Sequence, residues 1–202
     1  MMYKMSDGNV FYHVPKTGGR AYKAYAGKEA GATEQPRITG NPNTGHAVAN
    51  RHPEGKIVRV VIRDPVDRFL SAYYFTQRCS KSGPHKNTGA ILKVKKYGWQ
   101  DNPYEMCKKI LNSGVNDIDK LKFFHFNTQY SWHKKLNPSK VEYIDFRDLN
   151  FKKRLGKAPP RKSTDDESSL NEIIDSVRVL YKKDYDYFQS ISKIENITST
   201  WM

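Results

Sequence analysis

The chain has 202 residues, 37% hydrophobic and 12% aromatic, which suits one domain with a single sizeable core, since chains divide above roughly 250–300 residues. No stretch reaches the roughly 20 apolar residues needed to cross a bilayer, and the opening MMYKMSDGNV lacks an apolar signal region, so a soluble, cytoplasmic protein is expected. A formal net charge of +14 suits a solvated lysine-rich surface or an anionic ligand, and the lack of zinc-finger spacing, basic heptads or an RNA-binding aromatic signature argues against nucleic acid.

Residues 1–9 read as a polar lead-in. Val10 to Val14 reads as a short buried strand that breaks at Pro15 into a Lys16-Thr17-Gly18-Gly19 turn, and Arg20 to Ala26 has helical character. A strand, a glycine-rich turn and a helix start can together hold a phosphate. Backbone N–H groups converge, the helix terminus adds partial positive charge, and Lys16 and Thr17 supply a cation and a hydroxyl. The order differs from GxxxxGK[ST], because the lysine precedes the glycines.

From Gly27 to Gly55 the chain is rich in Gly, Pro, Asn and Thr, with no sustained period. A loop of this length in a compact domain is usually functional or mobile. It contains Glu34, Thr44-Gly45-His46 and Arg51-His52-Pro53. Ile57 to Ile62, apolar except for Arg59, reads as a buried parallel strand. Asp64 caps the helix that follows and Pro65 sits in its first turn. Val66, Phe69, Leu70 and Tyr73 form the helix face expected against a sheet, with Arg68 exposed or paired with Asp64 or Asp67.

Together, PKTGG after one strand and RDPVDRFLSAYY after a second resemble the two cofactor signatures of sulfotransferases that use 3′-phosphoadenosine-5′-phosphosulfate, in particular the carbohydrate sulfotransferase branch. The resemblance implies an α/β fold: a P-loop-like three-layer domain with a central, mainly parallel sheet flanked by helices. It implies that Pro15, Lys16, Thr17, Gly18, Gly19 and Arg20 hold the 5′-phosphate, with Lys16 also neutralising the leaving oxygen. Arg63 and Ser71 would bind the 3′-phosphate. A histidine or acidic residue between the two motifs often serves such enzymes as general base. His46 is the first candidate, an ordinary loop histidine being the alternative, with His52, Glu34 and His125 behind it. Arg20 stands where the family often has Ser or Thr, which removes one hydroxyl from the expected phosphate shell.

Beyond the second motif, residues 77–100 are polar and basic, a solvated face or a lid that draws in an anionic acceptor. Asn102 to Glu105 reads as a capping-box-like helix start, with Cys107, Ile110 and Leu111 on one face. Cys107 and Cys79 lack metal-ligand spacing and are expected to be reduced; no metal is implied. Phe123 to Trp132 resembles the family's HFxxQ element, so that His125 and Gln129 either contact the ligands or belong to an aromatic core. Val141 to Phe146 reads as the next strand. Ala158 to Thr164 is a loop, and by resemblance Arg161, Lys162 and Ser163 close over the nucleotide, an exposed linker being the alternative. Ser169 to Glu172 reads as a capping box, followed by the stripe Leu170, Ile173, Ile174, Val177, Leu180 and Tyr181. Leu180 to Phe188, LYKKDYDYF, resembles the family's closing signature and is read as structural.

The expected protein is therefore a single catalytic domain with a core over about residues 10–190. It would transfer a sulfuryl group from the nucleotide donor to a hydroxyl, on a saccharide acceptor whose identity and anionic character the sequence leaves open, releasing 3′-phosphoadenosine-5′-phosphate. A noncatalytic basic module that binds nucleotides or polyanions, and a P-loop-like phosphotransferase, are the alternatives.

Overall fold

The computed structural model describes residues 2–18, 49, 51–81, 96–97, 102–147 and 167–195. The chain divides into two compact units, one formed by Met1–Arg63 with Gln129–Pro159 and the other by Asp64–Thr128 with Pro160–Met202. A four-stranded, mainly parallel sheet together with helices puts the chain in the α/β class. No described helix is long and apolar enough to cross a membrane.

The first unit contains the sheet, in the order β1 (Met2–Lys4), β2 (Val10–Tyr12), β3 (Val58–Ile62), β4 (Val141–Asp145). β1 runs antiparallel to β2, whereas β2–β3 and β3–β4 are parallel and in continuous register from Val10↔Val58 to Ile62↔Asp145. The lead-in at residues 2–4 is thus an edge strand. A three-residue segment carries too little periodicity to be read, and its return depends on a turn in which Gly8 adopts φ +82°.

Near-continuous burial along β2 and β3 is what an apolar run in a parallel sheet produces. The exception, Arg59, reaches Asp7 at 2.6 Å and Glu142 at 2.8 Å. Phe11 and Val61 pack with Met5, Tyr3, Ile144 and Phe146.

Tyr12 ties the sheet to α3 (Gln129–His133). Its hydroxyl donates to the Trp132 carbonyl at 2.8 Å and accepts from the Ala49 N–H at 3.0 Å. Burial pushes the phenol pKa up. Tyr12→Phe removes both of these buried bonds, leaving the direct bond from the Ala49 N–H to the Trp132 carbonyl at 3.1 Å, and should cost about 1–3 kcal/mol. A raised folded-state pKa means that this stability is complete below the ordinary tyrosine value of about 10 and falls as pH rises beyond it. Denaturant unfolding between neutral and alkaline pH should therefore show a smaller alkaline loss in Tyr12→Phe than in the wild type.

The second unit is helical. α1 (Pro65–Lys81) starts as its sequence predicts, with Asp64 Oδ1 accepting the Asp67 N–H at 2.9 Å. α2 (Pro103–Asn112) starts at Asn102, whose side chain accepts the Glu105 N–H at 2.7 Å. Two further helices, α4 (Glu167–Leu180) and α5 (Lys182–Glu195), complete the described elements of this unit apart from a 3-10 turn at Ile118–Leu121. α4 begins two residues before Ser169, which is therefore not its cap.

Val66, Phe69, Leu70 and Tyr73 of α1 form one core with Met106, Cys107 and Ile110 of α2 and Ile173, Val177 and Leu180 of α4. Cys107 is a free thiol whose pKa burial drives up, and Cys79 is also free. Arg68, expected on the outside of α1, is instead fully buried. Its surroundings explain this: the charges of Asp184 and Asp119 act on it, and Asp184 is itself fully buried. Tyr181, Asp184 and Phe188 of the closing signature are all buried.

Candidate functional site

The parallel strands β2, β3 and β4 all end on the same side of the sheet, where ligands of open α/β sheets bind. β2 leads through His13 and Val14 into a turn at residues 15–18. Lys16 has φ +67° and Gly18 φ +83°. A left-handed conformation costs a lysine about 1–2 kcal/mol relative to its ordinary backbone, and such strain concentrates at functional sites. Left-handed residues alternating with ordinary ones turn successive N–H groups toward a common point.

Pro15 is buried, Lys16 and Gly18 are half-buried, and Thr17 is fully buried. The Thr17 hydroxyl donates to the Val14 carbonyl at 3.0 Å, so its proton braces the turn. Any bond from Thr17 to an anion would have to come from its backbone N–H.

Gly18 is required twice over. Besides its positive φ, a Cβ there would lie 2.3 Å from Cε2 of Phe146, the residue that follows β4. The same ring carries the Arg63 guanidinium, whose central carbon is 4.7 Å from the ring centroid. Cation–π attraction of this kind contributes about 0.5–2 kcal/mol. Arg63 Nη1 also donates to the Lys16 carbonyl at 3.4 Å, a long bond that a phosphate oxygen would readily replace. A glycine cradle and a guanidinium are groups that fit a phosphate.

Arg63 is held from behind by Gln129. The Arg63 N–H donates to Gln129 Oε1 at 2.9 Å, and Gln129 Nε2 donates to the Arg63 carbonyl at 2.7 Å. Gln129 is fully buried at the start of α3. Asp145, at the end of β4, is taken up by Arg147 through a 2.7 Å ion pair and a 2.8 Å bond from the Arg147 N–H.

The turn at Pro15, Lys16, Thr17 and Gly18 is therefore brought together with Arg63, 47 residues away from Lys16. Ser71 is half-buried on α1 of the helical unit. Gly19, Arg20, Glu34, His46, Arg161, Lys162 and Ser163 lie outside the described residues. His52 has both ring nitrogens on backbone. Nδ1 accepts the Asn137 N–H at 3.3 Å, so Nε2 carries the proton and donates to the Lys56 carbonyl at 2.8 Å. His125 sits in the helical unit with Phe75 and Phe124 edge-on at 4.9 and 5.3 Å, an aromatic packing position. It lies in a turn before α3 and so does not share a helix with Gln129.

Sequence reasoning missed Phe146 as a member of the site and left Gln129 between a ligand contact and the aromatic core. The available signals were an aromatic immediately after a strand end and a polar residue in an otherwise apolar stretch. Among the described residues no cluster of His, Cys, Asp or Glu is arranged to hold a metal ion. Compared with known proteins, the chain gives no match to a family model, a curated protein or a solved structure.

Proposed function

We propose that the chain is a sulfotransferase that moves the sulfuryl group of 3′-phosphoadenosine-5′-phosphosulfate to a hydroxyl of a saccharide acceptor. One observation carries the reading: the two stretches that resemble the sulfotransferase signatures meet, with Arg63 Nη1 3.4 Å from the Lys16 carbonyl. A strained lysine, a glycine that tolerates no side chain, and a guanidinium beside the same turn are features that a phosphate site would use. The P-loop-like character of the fold, with ligands at the carboxyl ends of the parallel strands, belongs to the same proposal.

The donor supplies an activated sulfuryl group and a phosphate leaving group. Lys16 balances the negative charge that grows on the bridging oxygen as its bond to sulfur breaks, while the turn around Gly18 and Gly19 orients the 5′-phosphate. Arg63 takes the 3′-phosphate through charge-assisted hydrogen bonds. Ser71 joins it by resemblance, as do Arg20, Arg161, Lys162 and Ser163 at the phosphates. His46 accepts the proton of the acceptor hydroxyl as the new oxygen–sulfur bond forms. The net charge of +14 favours approach of both the donor and an anionic saccharide.

Transfer of label from sulfur-labelled donor to a panel of saccharides tests the activity. Lys16→Gly is the informative variant, because it removes the cation while relieving the strain at φ +67°. The relief of about 1–2 kcal/mol outweighs or matches the 0.5–1 kcal/mol of added chain entropy. Thermal stability should hold or rise while transfer falls by about 100-fold or more. Transfer by Lys16→Gly at the wild-type rate would remove Lys16 from the mechanism. Failure of the wild type to label any saccharide, phenol or simple alcohol would count against the activity itself.

A further inference from the structure

We infer that Gln129 is a positioning residue of the anion site, acting through Arg63; the inference rests on the reading of Arg63 as a phosphate ligand. Paired strand residues extend on β2 only to Tyr12↔Val60 and on β4 to Ile62↔Asp145. The following turn on β4 still bonds back to β3, through the Phe146 N–H to the Ile62 carbonyl at 2.9 Å. Arg63 is the next residue, and its N–H and C=O lie beyond the paired register.

The Gln129 side chain takes both groups, with its oxygen 2.9 Å from the Arg63 nitrogen and its nitrogen 2.7 Å from the Arg63 oxygen. A primary amide presents one acceptor and a donor side by side, as a neighbouring strand's peptide groups would. No other uncharged side chain of that length offers both. Gln129 thereby extends the ladder by one residue and fixes the backbone that carries the guanidinium. The guanidinium itself meets the Phe146 ring at 4.7 Å and the Lys16 carbonyl at 3.4 Å.

The position of the guanidinium follows that of the backbone that carries it, which the two Gln129 bonds fix. A misplacement of about 1 Å in a binding group can cost about 100-fold in function. Full burial of Gln129 keeps its amide off any ligand, so its effect must pass through Arg63.

The test is a double-mutant cycle on binding. Dissociation constants of 3′-phosphoadenosine-5′-phosphate and of inorganic pyrophosphate are measured by titration calorimetry for the wild type, Gln129→Met, Arg63→Ala and the double variant. Methionine keeps the length and volume of glutamine without the hydrogen bonds. Gln129→Met should weaken binding by about tenfold or more, and the double variant should bind no worse than Arg63→Ala alone. Should methionine unfold the chain, Gln129→Asn keeps the amide but withdraws it by one methylene, and the same non-additivity is expected. Wild-type affinity in both Gln129 variants, or losses that simply multiply, would overturn the inference, since a purely structural role persists without Arg63. If the wild type binds pyrophosphate but not the nucleotide, the nucleotide reading fails and the cycle is decided on pyrophosphate. If it binds neither, the inference falls with it.

Discussion

Gly18→Ala should lower the stability of the sheet-containing unit by about 2–5 kcal/mol and weaken anion binding at least tenfold. One part of the loss is conformational, because φ at this position is +83°, which costs an alanine about 1–2 kcal/mol. The larger part is steric. The new methyl would lie 2.3 Å from Phe146 Cε2, so either the ring or the turn must give way, at about 1–3 kcal/mol. If the ring moves, Arg63 loses its stacking partner. Combining Gly18→Ala with Phe146→Ala separates the two parts. Relative to Phe146→Ala alone, the added glycine change should then cost only the conformational 1–2 kcal/mol or so in denaturant unfolding. An equal cost in both backgrounds would show that the ring does not oppose a side chain there.

The second large effect is expected in the helical unit. Asp184→Ala should destabilise it by about 3–5 kcal/mol, because a fully buried guanidinium would lose a fully buried counter-charge. Asp119 cannot fully replace it, being already engaged by the Thr128 N–H and hydroxyl at 2.8 and 2.7 Å and by Lys183 at 3.5 Å. Removing the charge together with its partner, in Arg68→Met with Asp184→Ala, should recover most of the loss. Chemical unfolding of the two single variants and the double variant measures this. A double variant as unstable as the sum of the singles would mean that Arg68 and Asp184 act independently.

How far the sequence was legible follows from the range of the interactions involved. β2 and β3 were readable because a parallel strand announces itself as a continuous apolar run, β4 from its β-branched and aromatic residues, and the starts of α1 and α2 because a cap lies within three residues of the N–H it serves. The likeness of the two motifs put Lys16, Gly18 and Arg63 forward together, and their turn and strand-end positions follow from local patterns.

Phe146 against Gly18, and Gln129 on Arg63, are a different matter. Gln129 and Arg63 lie 66 residues apart, and no local period encodes which strand end a distant side chain will reach. Arg68 misled for a related reason. An arginine on a helix is ordinarily outside, and its burial here is offset by groups distant in sequence, the His125 carbonyl at 3.4 Å and the charges of Asp184 and Asp119. The hydroxyl of Thr17 serves the Val14 carbonyl within the turn, a bond that the sequence does not announce.

In the proposed site the turn after β2 and the residue after β3 together bind the phosphates of an adenosine bisphosphate. Titration calorimetry with 3′-phosphoadenosine-5′-phosphate on the wild type and Arg63→Ala tests it most directly. The account predicts saturable binding by the wild type and a loss of about 100-fold in Arg63→Ala, with the fold intact, because a charge-assisted phosphate contact is removed. A folded wild type that does not bind the nucleotide, or an Arg63→Ala variant that binds it equally well, would contradict the account.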